Sequence, residues 1–136
     1  MSNERTAACP CRALTITVAG DPLVVNGCTC TDCQRASGSV MTVSAWFADE
    51  QIVRIVGDYA RWRPDGPPED DDFAAFCPTC GGGGFFKHPA QPGATGIRIG
   101  TFADPTFPKP KHIVWWSDRP YWLPELDATR HERMPE

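Results

Sequence analysis

The stretch GCTCTDCQRASG, Gly27 to Gly38, places three cysteines within six residues. Two further groups stand apart from it in the chain, a C-P-C and a C-P-T-C. Spacings of this kind let one turn direct two or three sulfurs at a single ion, while nearby backbone amides donate to the thiolates. Three such groups in a small chain therefore predict metal binding by all seven cysteines: Cys9, Cys11, Cys28, Cys30, Cys33, Cys77 and Cys80.

Other roles for the cysteines fit the sequence less well. An odd number leaves one thiol unpaired in any disulfide framework, and a reducing compartment opposes disulfides. Core cysteines that act as small hydrophobes would be scattered, whereas these are clustered. No βαβ pattern surrounds Cys77 and Cys80, which argues against a thioredoxin-like redox site.

The number of thiols predicts two unequal metal sites. Four thiolates complete one tetrahedral site, and the remaining three leave a second site with an open position. A closed site is structural, whereas an open one has room for water or a substrate atom. The group within residues 28–33 could supply three ligands from one loop, leaving the two distant pairs to meet across the fold. Spacing alone leaves other divisions open.

Length and charge restrict the class of protein. A chain of 136 residues with 41% hydrophobic residues predicts one domain, residues 1–136, with a loose charged tail after about residue 126. The net charge of −4 and the scattered basic residues argue against a nucleic-acid partner. No apolar run is long enough for a membrane span and no secretory leader is visible, so we expect a cytoplasmic protein without a membrane partner.

Short runs rich in β-branched and aromatic residues predict an all-β fold. Turn signals separate them and interrupt any long helical period. A brief helix is expected at Thr31 to Gly38, capped by Thr31 or Asp32 and ended by Gly38. The predicted strands are Ala13 to Val18, Val43 to Phe47, Gln51 to Val56, Gly96 to Phe102 and His112 to Ser117, and we expect Trp115, Trp116 and Trp122 to pack in the core or against an edge strand.

The cysteine motifs resemble those of the glutathione-dependent formaldehyde-activating enzyme family, which includes the centromere protein V domain. The resemblance covers most of the chain. Its pattern is an N-terminal C-x-C, then C-x-C-x-x-C followed by a basic residue and a glycine, then F-C-x-x-C-G. The matching segments are Cys9 to Cys11, Cys28 to Cys33 with Arg35 and Gly38, and Phe76 to Gly81.

This resemblance implies an Mss4-like small β-sandwich, also called a β-tent, with zinc-bound loops. It implies a structural zinc on Cys9, Cys11, Cys77 and Cys80 and a catalytic zinc on Cys28, Cys30 and Cys33. The activity implied is a carbon–sulfur lyase that condenses glutathione with formaldehyde to S-hydroxymethylglutathione.

Three features depart from the family pattern. Thr29 stands where the family often has histidine, and Arg12 where it usually has glycine. Three glycines, residues 82–84, follow the last motif and predict a more flexible loop beside Cys80.

Two functions remain open from the sequence. The first is an enzyme that acts on a small thiol, similar to glutathione, and on formaldehyde or a related aldehyde. The second is a non-catalytic, zinc-braced β-module that binds a protein partner or a thiol adduct. A permanent fourth ligand on the three-cysteine site, for which His112 and Asp32 are candidates, would favour the module. Arg35 could pair with a substrate carboxylate or neutralise the thiolates, and His112 could contact substrate.

Overall fold

The computed structural model describes residues 3–134, so both ends of the predicted domain, residues 1–2 and 135–136, lie outside the described residues. Strands dominate the described part, and the one α-helix there is short. The elements are β1 (Glu4–Ala8), β2 (Thr15–Ala19), β3 (Val24–Cys28), α1 (Thr31–Ser37), β4 (Thr42–Ala48), β5 (Ile52–Val56), β6 (Ala60–Trp62), β7 (Phe73–Phe76), β8 (Gly83–Lys87), β9 (Ala94–Arg98) and β10 (His112–Val114).

The strands form two sheets that pack face to face. The smaller sheet has the order β1-β2-β5, and the larger has the order β10-β3-β4-β9-β8-β7-β6. Among the strands of residues 3–134, only β10 pairs in parallel, with β3. Alternate residues of each sheet point into a shared core, which the smaller sheet supplies with Ala7, Ile16 and Val18 and the larger with residues such as Phe47 and Ile97. The face of the larger sheet that points away from this core is available for a functional site.

All five predicted strands are present, with shifted ends. The last part of two of them, residues 99–102 and 116–118, turns into 3₁₀ helix instead. Five strands were not predicted, namely β1, β3, β6, β7 and β8. Their residues include polar and glycine positions, as in VVNGC of β3 and GGFFK of β8, and they are held in the sheet by cross-strand pairing. Among the described residues, no helix is long and apolar enough to cross a membrane.

The predicted helix forms, but its capping residue differs. Cys30, not Thr31 or Asp32, is the N-cap, and its sulfur accepts a hydrogen bond from the Cys33 N–H at 3.3 Å. Gly38 ends the helix in the left-handed region, with φ of 70°, as predicted. A cysteine therefore performs the capping role that sequence preferences give to hydroxyl and carboxylate side chains.

The glycine run after Cys80 is part of a packed strand and not the flexible loop that we predicted. Gly83 and Gly84 begin β8. A Cβ on Gly82 would lie 2.1 Å from Pro10 Cδ, and one on Gly84 would lie 2.8 Å from Leu14 Cδ2. These residues are glycine because the segment after Cys80 passes directly against the loop that follows β1.

The predicted packing of the tryptophans is wrong for Trp115, whose residue surface is 64% exposed, and for Trp122, which is 37% exposed. Trp115 follows the edge strand β10 and has a left-handed backbone with φ of 57°, so the extended strand conformation ends at Val114. Trp116 is half-buried and lies beneath the Arg119 guanidinium, 4.5 Å from its ring centre. Residues 127–134 are exposed and contain no helix or strand.

Candidate metal centres and the adjoining cavity

The fold brings the seven thiols together in two clusters, and within each the sulfurs all lie within 4.8 Å of one another. The four-Cys cluster consists of Cys9, Cys11, Cys77 and Cys80, and the three-Cys cluster of Cys28, Cys30 and Cys33. Sulfurs at the corners of a tetrahedron around zinc would be about 3.8 Å apart, given zinc–sulfur bonds of about 2.3 Å. The Cys11 sulfur lies 3.7 Å from those of Cys9 and Cys77, so this donor set fits a zinc ion.

The four-Cys cluster joins two segments that are far apart in sequence. Cys9 and Cys11 follow β1, and Cys77 and Cys80 form the turn between β7 and β8. Cys9 and Cys77 are buried, at 2% and 1% exposure, beside Leu14. The cluster therefore ties the smaller sheet to the larger at one edge of the sandwich.

Backbone amides stabilise the thiolates of the four-Cys cluster. The Leu14 N–H donates to the Cys9 sulfur at 3.3 Å, and the Gly82 N–H donates to the Cys80 sulfur at 3.4 Å. Burial opposes ionisation of Cys9, but the Leu14 amide and the neighbouring thiols outweigh it and bring the pKa to about 6. The N–H groups of Cys11 and Gly82 also hold the pKa of Cys80 below its ordinary value. The loop geometry thus favours the ionised, metal-binding form at Cys9 and Cys80. At Cys11 the Ala13 N–H is outweighed by the neighbouring thiols and by burial, which raise the pKa to about 11.

The three-Cys cluster comes from one continuous segment. Cys28 ends β3, Cys30 caps α1 and Cys33 lies in its first turn. All three are partly exposed. Burial, together with the two neighbouring thiols, raises the pKa of Cys28 to about 12. Burial opposes ionisation of Cys30 as well, yet the Cys33 N–H and the neighbouring thiols lower its pKa, so Cys30 ionises before Cys28.

Within residues 3–134, no histidine or carboxylate joins the three-Cys cluster as a fourth ligand. Neither Asp32 nor His112, the candidates from the sequence, is a member. His112 is exposed on β10, opposite Asn26 of β3. The three sulfurs alone make an incomplete tetrahedral set.

Hydrogen bonds fix the loop that carries this cluster. Thr29 is fully buried, and its Oγ1 donates to the carbonyl oxygen of Trp115. Gln34 Nε2 donates to the carbonyl oxygens of Thr29 and Asp118, at 2.8 and 3.1 Å. Sequence analysis did not single out Gln34, although its position directly after Cys33 placed it on the same helix. The segment after β10 therefore acts as a support for the ligand loop.

An open groove lies beside the three-Cys cluster. It consists of a cavity of about 630 Å³ and an adjoining one of about 270 Å³, which have six lining residues in common: Asp32, Ala36, Trp62, Pro64, Ala74 and Arg98. Cys33 lines the smaller cavity, and Arg35 lines the larger. His112 lines neither. The total volume is in the range of small-molecule sites.

Sequence analysis missed two lining residues that define the groove, Trp62 and Arg98. Trp62 belongs to β6, one of the strands that was not predicted. Arg98 lies in a run predicted to be a strand, and strict alternation would have placed it on the face opposite the core residue Ile97. The alternation of core-facing and outward-facing residues was therefore the sequence signal that could have identified Arg98.

Comparisons with known proteins agree with this architecture. The family described as "Glutathione-dependent formaldehyde-activating enzyme" matches residues 4–118. No curated protein is significantly similar in sequence. The crystal structure of a Rhodobacter sphaeroides protein superposes with a TM-score of 0.55 at 19% identity, over 71% of this chain and 85% of that one. At this identity the second likeness concerns the fold alone.

Proposed function

This chain belongs to the glutathione-dependent formaldehyde-activating enzyme family, and we propose that it is a zinc-dependent carbon–sulfur lyase that joins a small, glutathione-like thiol to formaldehyde or a related aldehyde. The family has the Mss4-like fold, in agreement with the two packed sheets and their cysteine-bearing loops. In this proposal the four-Cys cluster is structural and the three-Cys cluster is catalytic.

The observation that carries the proposal is the incomplete ligand set beside a groove. Cys28, Cys30 and Cys33 provide three sulfurs, and the described part of the chain offers no fourth ligand. Cys33 also lines the groove, so a small molecule there can reach the cluster. A closed structural site would need neither feature.

The reaction forms one carbon–sulfur bond. The sulfur of the thiol adds to the carbonyl carbon, the π electrons of the carbonyl move to its oxygen, and the thiol proton reaches that oxygen through solvent. Zinc in the three-Cys cluster would supply a position at which a thiol ionises near neutral pH. The protein holds the ligand loop through Thr29 and Gln34, and the groove keeps the two reactants close together.

Zinc content and zinc coordination test this proposal. We expect two zinc ions per chain by elemental analysis, and X-ray absorption at the zinc edge should show added sulfur coordination when glutathione is titrated. Cys30→Ser should lose one zinc and the response to glutathione. In nuclear magnetic resonance exchange experiments, the unaltered protein should accelerate formation of the adduct above the uncatalysed background.

Two outcomes would contradict the proposal. Zinc coordination that is indifferent to thiols would show closed sites, as in a structural module. A thiol response without acceleration would show a protein that binds the adduct and does not form it.

A further inference from the structure

Four arginine and lysine side chains line the groove, and two of them form ion pairs with carboxylates. Arg63 pairs with Glu69 and Asp72, at 3.1 and 3.3 Å. Lys87 Nζ lies 2.8 Å from both carboxylate oxygens of Asp49. The other two, Arg35 and Arg98, form no ion pair with a described carboxylate. Arg35 is exposed on α1, whereas Arg98 is partly buried in the groove.

Arg98 also has an unsatisfied polar atom. Within residues 3–134, Arg98 Nε and Asn26 Oδ1 are buried side-chain atoms without a hydrogen-bond partner. Buried donors of this kind are usually paired, and an unpaired one raises the free energy of the protein. Arg98 therefore carries a donor that the described residues leave unused, in a side chain that lines the groove.

Strand register places Arg98 on the face that carries the three-Cys cluster. Arg98 is opposite Ser44, which is opposite Asn26 in turn. Cys28 lies two residues after Asn26 in β3 and is paired with Thr42, so its side chain is on the same face of the sheet as that of Asn26. The backbones of Arg98 and Cys28 are therefore separated by two strand spacings, about 10 Å, and by about 7 Å along the strands. Since both side chains extend from the same face, the gap between them suits a small molecule.

Aromatic packing supports the Arg98 side chain. Its guanidinium carbon lies 5.8 Å from the centre of the Phe86 ring. That ring packs edge-on against Trp46, with ring centres 5.0 Å apart. It also covers Gly96, where a Cβ would lie only 2.4 Å from the ring. The guanidinium thus rests on a fixed surface, which lowers the entropy lost when it binds a ligand.

We propose that Arg98 binds a carboxylate of the thiol substrate and thereby selects acidic thiols over neutral ones. The inference rests on the proposed function, because it assumes that the thiol sulfur reaches the three-Cys cluster. A planar guanidinium binds a carboxylate through two parallel hydrogen bonds, and it remains charged at any working pH. The substrate class is an amino-acid or peptide thiol whose carboxylate bridges the distance from Cys33 to Arg98.

Calorimetry with matched thiols tests this proposal on the zinc-loaded protein. Glutathione and 3-mercaptopropionate should bind the unaltered protein more tightly than 2-mercaptoethanol. Arg98→Gln should weaken the two acidic thiols by about 10- to 100-fold, the usual effect of a charged hydrogen bond, and leave 2-mercaptoethanol unchanged. Arg98→Lys should restore only part of the affinity because it lacks the planar fork.

Two further variants complete the design. Arg54→Gln removes an exposed arginine of the smaller sheet, which pairs with Glu4 of the same sheet at 3.9 Å, and should leave the binding of every thiol unchanged. Arg35→Gln should weaken acidic thiols by less than threefold; a larger effect there than at Arg98 would assign the carboxylate to the helix and overturn the inference. Zinc content and thermal melting verify that each variant is folded. If Arg98→Gln weakened the binding of acidic and neutral thiols equally, that result would also overturn the inference.

S-methylglutathione separates this inference from the proposed function, because its sulfur is blocked while both carboxylates remain. If S-methylglutathione binds the unaltered protein and Arg98→Gln weakens this binding at least tenfold, the inference is supported even where no free thiol alters the zinc coordination. Free thiols that alter the zinc equally in the unaltered protein and Arg98→Gln would retain the proposed function and reject the inference. Failure of the unaltered protein to bind either ligand would reject both.

Discussion

The two cysteine clusters use the same side chain in opposite ways. The four-Cys cluster joins residues 9–11 to residues 77–80, and half of its thiols are buried. The three-Cys cluster lies within six residues, is partly exposed and opens onto a groove. An unfolded chain must close a long loop to form the first cluster, whereas it can form the second locally. Metal in the first should stabilise the fold, and metal in the second should serve chemistry.

The largest expected effect comes from Cys77→Ser. The variant should lose more than about 5 kcal/mol of stability, comparable to the whole stability of a small domain, because its metal binds only the native chain. Circular dichroism during urea unfolding would measure the loss. A cooperatively folded Cys77→Ser protein with unchanged stability would remove the distinction between the clusters.

Gly82→Ala tests the packing around the four-Cys cluster without changing a ligand. The new Cβ would lie 2.1 Å from Pro10 Cδ and 3.3 Å from the Cys80 sulfur. We expect a loss of about 1–3 kcal/mol and faster zinc release to a chelator. Gly100→Ala is the control, since its Cβ position has no atom within 4 Å from any described residue other than its chain neighbours. Equal behaviour of the two variants would show that the glycine run is not needed for close packing.

Asp49 provides a reference interaction that is independent of both clusters. Hydrogen bonds from Lys87, and then from the buried Thr95 at 2.7 Å, lower the pKa of this carboxylate. Because the folded-state pKa is depressed, the stabilisation is complete above the unfolded value of about 3.9 and is lost as pH falls below it. Asp49→Asn should therefore be less stable by about 1 kcal/mol from pH 5 to 7, and the difference should shrink below about pH 4.

The comparison with Asp49→Asn uses two proteins that carry the same clusters, so the acid sensitivity of the thiolates cancels in the difference. Urea unfolding of both proteins at each pH measures the difference in their free energies of unfolding. A gap that is constant down to pH 3 would show that the Asp49 charge contributes nothing.

Cys30→Ser should have a smaller effect on stability, within about 1 kcal/mol. Serine is a good N-cap and replaces the sulfur that accepts from the Cys33 N–H. Metal bound to three neighbouring cysteines also binds the unfolded chain, which reduces its net contribution to folding. We expect a folded protein with one zinc fewer by elemental analysis. Loss of fold equal to that of Cys77→Ser would reverse the roles assigned to the two clusters.

The smallest effect is expected for Arg12→Gly. Arg12 has a φ of 65°, a left-handed conformation that glycine adopts without strain. This geometry explains why glycine is usual at the equivalent position of the family. The variant should gain about 0.5 kcal/mol, seen as a small rise in melting temperature. Arg12→Ala should show no gain, and a matching gain there would place the effect in the side chain and not the backbone.

The sequence was sufficient for the strand-rich fold and for the metal-ligand spacing, because both depend on short-range patterns. Cysteine spacing alone could not assign the seven thiols to two clusters, since that depends on which loops meet at one edge of the sandwich. The family resemblance supplied the assignment that the structure shows. The groove was also hidden, because Trp62, Ala74 and Arg98 come from three strands that only the sheet order makes neighbours. The glycine run was misread because close packing and flexibility call for the same residue.

The order of the two clusters along the chain has a consequence for biosynthesis. The ligand loop of the three-Cys cluster is complete once Cys33 leaves the ribosome, whereas the four-Cys cluster waits for Cys80, 47 positions later. At about 5–20 residues per second, translation separates these events by about 2 to 9 seconds. During that interval the nascent chain exposes a loop whose three thiols could hold a metal ion, before the β10 segment that will support this loop has been made. The first ion can therefore be acquired before the domain exists.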